Sequence, residues 1–152
     1  MVISFYGHSN FSSNIEYKEK LLALLIDLIG NQPATMYLGG WGDFDELAYS
    51  CCKKIKQINP DISLILVTPY ITEHYLKNHL EPQRDKYDGF IYPELEKVPL
   101  KLAIVYRNRR MIEKSDIVIC GIKRSFGGAY KSYLYAKKLN KKIINITDAV
   151  LN

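Results

Sequence analysis

The chain has 152 residues, a length that fits one domain with a core large enough to stand alone. Hydrophobic residues make up 47% and charged residues 24%, with a net charge of +5, which excludes a disordered or low-complexity chain. The longest apolar run, residues 21–29, is broken by Asp27 and is too short to cross a bilayer, which excludes a membrane-spanning helix. Residues 1–6 lack a basic start, an extended apolar region and a cleavage site, which points to a cytoplasmic location. Cys51, Cys52 and Cys120 make no disulfide framework and read as small buried hydrophobes in a reducing compartment. His74 and His79 share no spacing with them, so no metal site and no required cofactor is expected. The basic residues are scattered beside acidic ones and read as a solvated surface, which alone specifies no nucleic-acid site.

Strands and helices alternate along the chain. Val2–Tyr6 is a short strand. Ser13-x-x-Glu16 has the form of a capping box, and Leu21, Leu24, Leu25 and Leu28 follow at helical spacing up to Gly30. Thr35–Leu38 is a second strand, ending at Gly39-Gly40. A helix over Phe44–Gln57 carries Leu47, Ala48, Cys51, Cys52 and Ile55 on one side. After the turn at Asn59-Pro60-Asp61, Ile62–Thr68 is a continuous apolar strand of the kind buried on both faces. Residues 69–99 are the least regular part, with a short helix near Glu73–His79 and a short strand near Phe90–Tyr92. Leu100–Lys114 is a helix, Asp116–Cys120 a strand, and Gly127-Gly128 opens a last helix that runs through Leu139. Lys142–Ile146 is the final strand.

Strands joined through helices need crossovers. The expected fold is therefore α/β: a Rossmann-like, doubly wound, mainly parallel sheet of five or six strands with helices on both faces. In such sheets ligands bind beyond the carboxyl ends of the strands, at the switch point. That rule selects Gly7-His8-Ser9-Asn10, Gly39–Glu46, the Thr68-Pro69-Tyr70 turn and Gly121–Gly128 as candidate ligand loops.

Gly7 allows a tight turn and close approach, with His8, Ser9 and Asn10 as donors and acceptors. Gly39, Gly40 and Gly42 precede a helix start, where free backbone N–H groups suit phosphate or ribose. Trp41 is placed to stack on a base or to pack. Asp45 either caps the helix or accepts from ribose hydroxyls. On the next helix, Arg107 and Asn108 fall on the stripe of Leu100, Ala103, Ile104 and Met111. An inward arginine needs a partner, either a carboxylate such as Asp45 or an anionic ligand. Arg109 and Arg110 fall off the stripe. Ser125, Gly127 and Gly128 open the last helix and make a phosphate cradle, with Lys123 and Arg124 just before it. The competing reading of that turn is tight helix–sheet packing through Ala129, Ser132 and Ala136.

Gly7-His8, Gly39-Gly40 with Phe44-Asp45, Arg107-Asn108 with Met111, Ser115-Asp116, and Gly127-Gly128 with Tyr135-Ala136 occur in an ordered set over residues 7–146. In this the chain resembles the YpsA-like branch of the SLOG superfamily, named for its DprA/SMF and LOG members. The resemblance implies a Rossmann-like sheet holding a nucleotide-derived ligand at the loops selected above. Relatives include sensors of nucleotide signals, some in antiphage defence, and enzymes that cut N-glycosidic bonds. This chain departs from the pattern at Ser9 (usually arginine), Asp43 (usually glycine) and Ala129 (commonly threonine). The enzymes also carry a catalytic glutamate shortly after the glycine loop, where this chain has Lys131 and Ser132.

The preferred reading is a binding module that senses a small phosphorylated, ADP-ribose-like ligand. The alternatives are an N-glycosidase or deoxyribosyltransferase-like enzyme using Asp45 or Glu46, and a DprA-like nucleic-acid or protein-interaction module. Tyr130, Tyr133 and Tyr135 offer a surface for a homo-oligomer or serve to pack within a monomer.

Overall fold

Six strands pair in the order β4-β3-β2-β1-β5-β6 in the computed structural model, which describes residues 1–151. The strands are β1 (Val2–Gly7), β2 (Ala34–Leu38), β3 (Ile62–Val67), β4 (Gly89–Ile91), β5 (Ile117–Gly121) and β6 (Lys142–Asn145). Every pairing is parallel. The chain steps outward from β1 to β4, then returns to lay β5 against the other side of β1. This reversal between β1 and β5 is the switch point, and there the loops leaving neighbouring strands diverge and open a crevice.

Helices α1 (Ile15–Ile29) and α2 (Asp43–Ile58) cover one face of the sheet. Alternate β-strand positions meet them: Ile3, Phe5, Met36, Leu38, Leu64 and Ile119 pack against Leu21, Leu25, Phe44, Leu47 and Cys51. On the other face, α4 (Ala103–Lys114) and α5 (Gly128–Lys138) bury Met111, Ile112 and Ala136 against Tyr6, Val118 and Cys120. The three cysteines are free and buried. Among the described residues, no helix is long and apolar enough to cross a membrane.

Several local expectations are corrected by the fold. The cap of α1 is Asn14, whose Oδ1 accepts from the Tyr17 N–H at 2.9 Å, so the Ser13–Glu16 capping box does not form. Gly30 does end α1, with φ +55. Strand β3 is not buried on both faces: Ser63 and Ile65 are only half-buried, because α4 and α5 sit over β1 and β5 rather than over β3. The helix expected from Leu100 starts at Ala103, after a 3₁₀ turn over Leu100–Leu102. That turn changes the phase. Leu100 is 69% and Ile104 40% exposed, and the buried stripe is Ala103, Arg107 and Met111. The Glu73–His79 helix is a single turn, α3 (Glu73–Tyr75), which widens into a π-turn over Leu76–Leu80.

Two glycines are required by a distant ring. Gly7 and Gly121 are register partners in β1 and β5, and the ring of Phe44 from α2 lies across them. A Cβ at Gly7 would sit 2.0 Å from Phe44 Cγ, and one at Gly121 would sit 2.4 Å from Phe44 Cε2. Gly7 therefore serves close packing; its φ is not positive. Gly42 does need glycine for its backbone: φ is +95, and a Cβ would meet Ser9 Cα at 2.6 Å.

Candidate functional site

A cleft opens over the carboxyl ends of β1, β2 and β5. Gly7, His8 and Ser9 line it from the first loop and Gly39, Trp41 and Asp45 from the second. Arg107 and Asn108 come from α4, and Gly127 and Gly128 from the start of α5. It encloses about 220 Å³.

The floor of the cleft is set by Arg107, which is only 4% exposed. Its Nη1 donates to the carbonyls of Gly39 at 3.0 Å and Val67 at 2.7 Å, and its Nε donates to Asn108 Oδ1 at 2.8 Å. It thus ties the ends of β2 and β3 to α4. Of the two partners named for Arg107, a carboxylate such as Asp45 or an anionic ligand, the carboxylate is not met: among the described residues Arg107 and Asp45 make no salt bridge, and backbone carbonyls take the guanidinium. Nη2 has no protein acceptor among the described residues. Asn108 continues the network by donating to Ser132 Oγ at 3.3 Å, which in turn donates to the Gly128 carbonyl at 3.3 Å. The Tyr6 hydroxyl donates to the Asn108 carbonyl at 2.8 Å.

The two helix starts facing the cleft differ. At α2, the Asp43 N–H donates to the Ser9 carbonyl at 2.8 Å, and the first turn carries Asp43, Asp45 and Glu46. Both helices start after a glycine at positive φ with no side-chain cap, Gly42 and Gly127, but the first turn of α5 has no acidic residue. The positive end of the helix dipole, with no carboxylate beside it, thus suits an anion at α5 better than at α2. Arg124 lines the same wall, with Nη2 donating to Asn10 Oδ1 at 3.1 Å and the guanidinium over the Phe126 ring.

His8 is 4% exposed, and its Nε2 accepts from the Lys123 backbone N–H at 3.0 Å. That bond makes Nδ1 the protonated nitrogen of the neutral ring. Burial, then the charges of Arg124 and Lys123, hold its pKa below the usual histidine value.

Asp45 Oδ2 accepts from the Trp41 N–H at 2.7 Å. Burial pushes its carboxyl up to about 6, against the opposing pull of the Trp41 N–H and of Arg107. A carboxyl held above its unfolded value stabilises the fold fully below about pH 4 and loses that contribution as pH rises toward 6. Asp45→Asn removes this loss, since the side-chain oxygen can still accept from Trp41. The expected result is a variant about 2–3 kcal/mol more stable than wild type at pH 7.5, a gap that closes near pH 4. Urea unfolding of both proteins across that range tests it, and a pH-independent gap rules the account out.

Not every residue singled out from the sequence reaches the cleft. Gly40 and Glu46 line a separate crevice with Tyr49, Gln83, Lys86 and Tyr87, because φ +66 at Gly40 turns that peptide away. Asn10 meets the cleft only through its bond to Arg124. Pro69 is buried behind the end of β3, and Ser125 is exposed outside the cleft lining. Tyr6 and Ile104 line the cleft without having been read as site residues. A tyrosine inside a strand and an aliphatic residue on a helix give no sequence signal of it.

Fold and site define a class: a wholly parallel Rossmann-like α/β protein with a cleft at the switch point of its sheet. No protein-family model matches the chain, and no curated protein is similar to it in sequence. Solved structures share its fold. DNA processing protein A from Helicobacter pylori, which binds single-stranded DNA, aligns with a TM-score of 0.61 at 22% identity over 94% of this chain. DNA processing protein A from Streptococcus pneumoniae aligns with a TM-score of 0.61 at 15% identity over 93% of this chain. This chain spans 63% and 48% of those two proteins. The molybdenum cofactor carrier protein of Chlamydomonas reinhardtii aligns with a TM-score of 0.55 at 15% identity, over 93% of this chain and 73% of its own.

Proposed function

We propose that this chain is a SLOG-type sensor of the YpsA-like branch, and that its cleft binds a nucleotide-derived phosphorylated ligand. One observation carries the reading: α5 starts with no acidic residue in its first turn and opens into a cleft that Arg124 lines and the buried Arg107 floors. A phosphate there gains backbone donors, the helix dipole and a cationic wall together. The cleft volume of about 220 Å³ is below the roughly 300–1,000 Å³ of sites that enclose a whole drug-sized ligand. It fits a phosphorylated sugar, with a base resting outside on Trp41, which is 62% exposed.

The test is thermal unfolding against AMP, ADP, NAD, ADP-ribose, cyclic ADP-ribose and the other nucleoside monophosphates. A binder at about 100 times its Kd adds roughly 2.7 kcal/mol and raises the midpoint by several degrees. Gly128→Asp is the companion variant. Nothing lies within 4 Å of a Cβ at Gly128, so the fold accepts the side chain. A carboxylate in the first turn stabilises the helix by about 0.3–1 kcal/mol while occupying the anion site. Binding is expected to vanish with the unliganded midpoint kept or slightly raised. A flat panel, or full binding by Gly128→Asp, removes the phosphate site from this mouth of the sheet.

Asp45 supports a second reading, cleavage of an N-glycosidic bond, because a carboxyl near pKa 6 exchanges protons readily at neutral pH. Release of free base from the binding nucleotide, lost in Asp45→Asn, distinguishes an enzyme from a sensor. The likeness to the Helicobacter protein supports a third, single-stranded DNA binding, which requires an affinity that falls steeply with salt.

A further inference from the structure

Two opposite charges converge over the Cα of Gly39 without meeting. Asp45 is held on one side by the Trp41 N–H at 2.7 Å, and its Oδ1 takes no protein donor among the described residues. Arg107 is held on the other side by the carbonyls of Gly39 and Val67 and by Asn108, and its Nη2 has no protein acceptor among the described residues. No ion pair joins them among the described residues. The missing side chain of residue 39 keeps the space between them open. A methyl group there would sit 3.0 Å from Asp45 Oδ2 and 3.3 Å from Arg107 Nη2. All three residues line the cleft.

The chemistry of the gap selects its occupant. The group must donate to a carboxylate and accept from a guanidinium at once. A phosphate satisfies Arg107 and is repelled by Asp45. An ammonium group does the reverse, and a carbonyl cannot donate. A hydroxyl does both. The far wall, at the start of α5, is suited to the phosphate by the absence of acidic residues in its first turn.

We infer that the ligand carries a sugar hydroxyl that bridges Asp45 and Arg107 over Gly39, so that the cleft selects ribonucleotides over their deoxy counterparts. This rests on the nucleotide reading above and adds the orientation of the ligand. The phosphate lies at Gly127-Gly128, the sugar hydroxyls lie over Gly39, and the base lies toward Trp41. A deoxy ligand leaves both charged groups without a partner from the ligand, and a site built to bond a hydroxyl discriminates strongly against its absence.

The experiment compares AMP, GMP, CMP and UMP with their 2′,3′-dideoxy forms by calorimetric titration of the wild-type chain at pH 7.5. At least about a tenfold tighter Kd is expected for the hydroxylated member of the pair that binds best. Equal affinity within a pair overturns the inference and leaves the nucleotide reading standing. Absence of binding by all four monophosphates overturns it as well, whereas the nucleotide reading falls only if the whole panel above is flat. Gly39→Ala and Asp45→Asn are both expected to shrink the ratio between the two forms toward one. The ratio, unlike the affinity, does not move when a variant merely loses stability, so a ratio unchanged in both variants also overturns the inference.

Discussion

Arg107→Ala is expected to lower stability by about 2–4 kcal/mol and to weaken the proposed nucleotide binding by at least about a hundredfold. The guanidinium makes three hydrogen bonds, to the Gly39 and Val67 carbonyls and to Asn108 Oδ1. Truncation strands two carbonyls at the ends of β2 and β3 and releases Asn108 from one side. Relief of the desolvated charge offsets part of that cost, and water entering the cleft offsets more. Binding is hit harder, because a buried cation in the cleft lining is removed while the Asp45 carboxylate remains. Arg107→Lys separates the two effects: it keeps a charge but cannot reach three acceptors as a planar fork. Urea unfolding and titration with the best nucleotide of the panel measure both. Wild-type stability together with wild-type affinity in Arg107→Ala would make the guanidinium a bystander.

Gly7→Ala is expected to destabilise the fold by about 3 kcal/mol or more, because its Cβ would collide with the ring of Phe44 at 2.0 Å. The ring cannot retreat: Gly121 and Phe11 bound its other edge, and Phe44 is fully buried. Phe44→Ala alone costs about 3–5 kcal/mol through the cavity it leaves. In the double variant the new methyl enters that cavity, so the two losses are expected to overlap by about 2 kcal/mol. A double-mutant cycle by denaturant unfolding gives the coupling directly. Strictly additive losses would show that Gly7 is needed for some reason other than the ring.

The sequence carried the alternation of strands and helices because each element repeats an apolar pattern over several neighbouring residues. The buried positions of α1 and α2, and the inward place of Arg107 between Ala103 and Met111, follow from spacing alone. Boundaries were harder where two local solutions compete. Ser13 and Asn14 are adjacent polar residues, and only the chain path from Phe11 decides that Asn14 caps α1. The 3₁₀ turn at Leu100–Leu102 rotates the helix that follows, which puts Ile104 at the cleft and not in the core.

Composition, length and periodicity by themselves determined a parallel α/β protein with glycine-containing loops after its strands, because those features are short-range and repeat. The tertiary structure alone decided what each loop residue does there. It gave Gly7 a ring thirty-seven positions away, turned Gly40 into another crevice, and gave Arg107 two backbone carbonyls and not the Asp45 carboxylate. It also left the start of α5 uncapped and the two charges over Gly39 apart. Such outcomes depend on which distant groups arrive within about 3 Å of one another, and no local pattern in the chain encodes that distance.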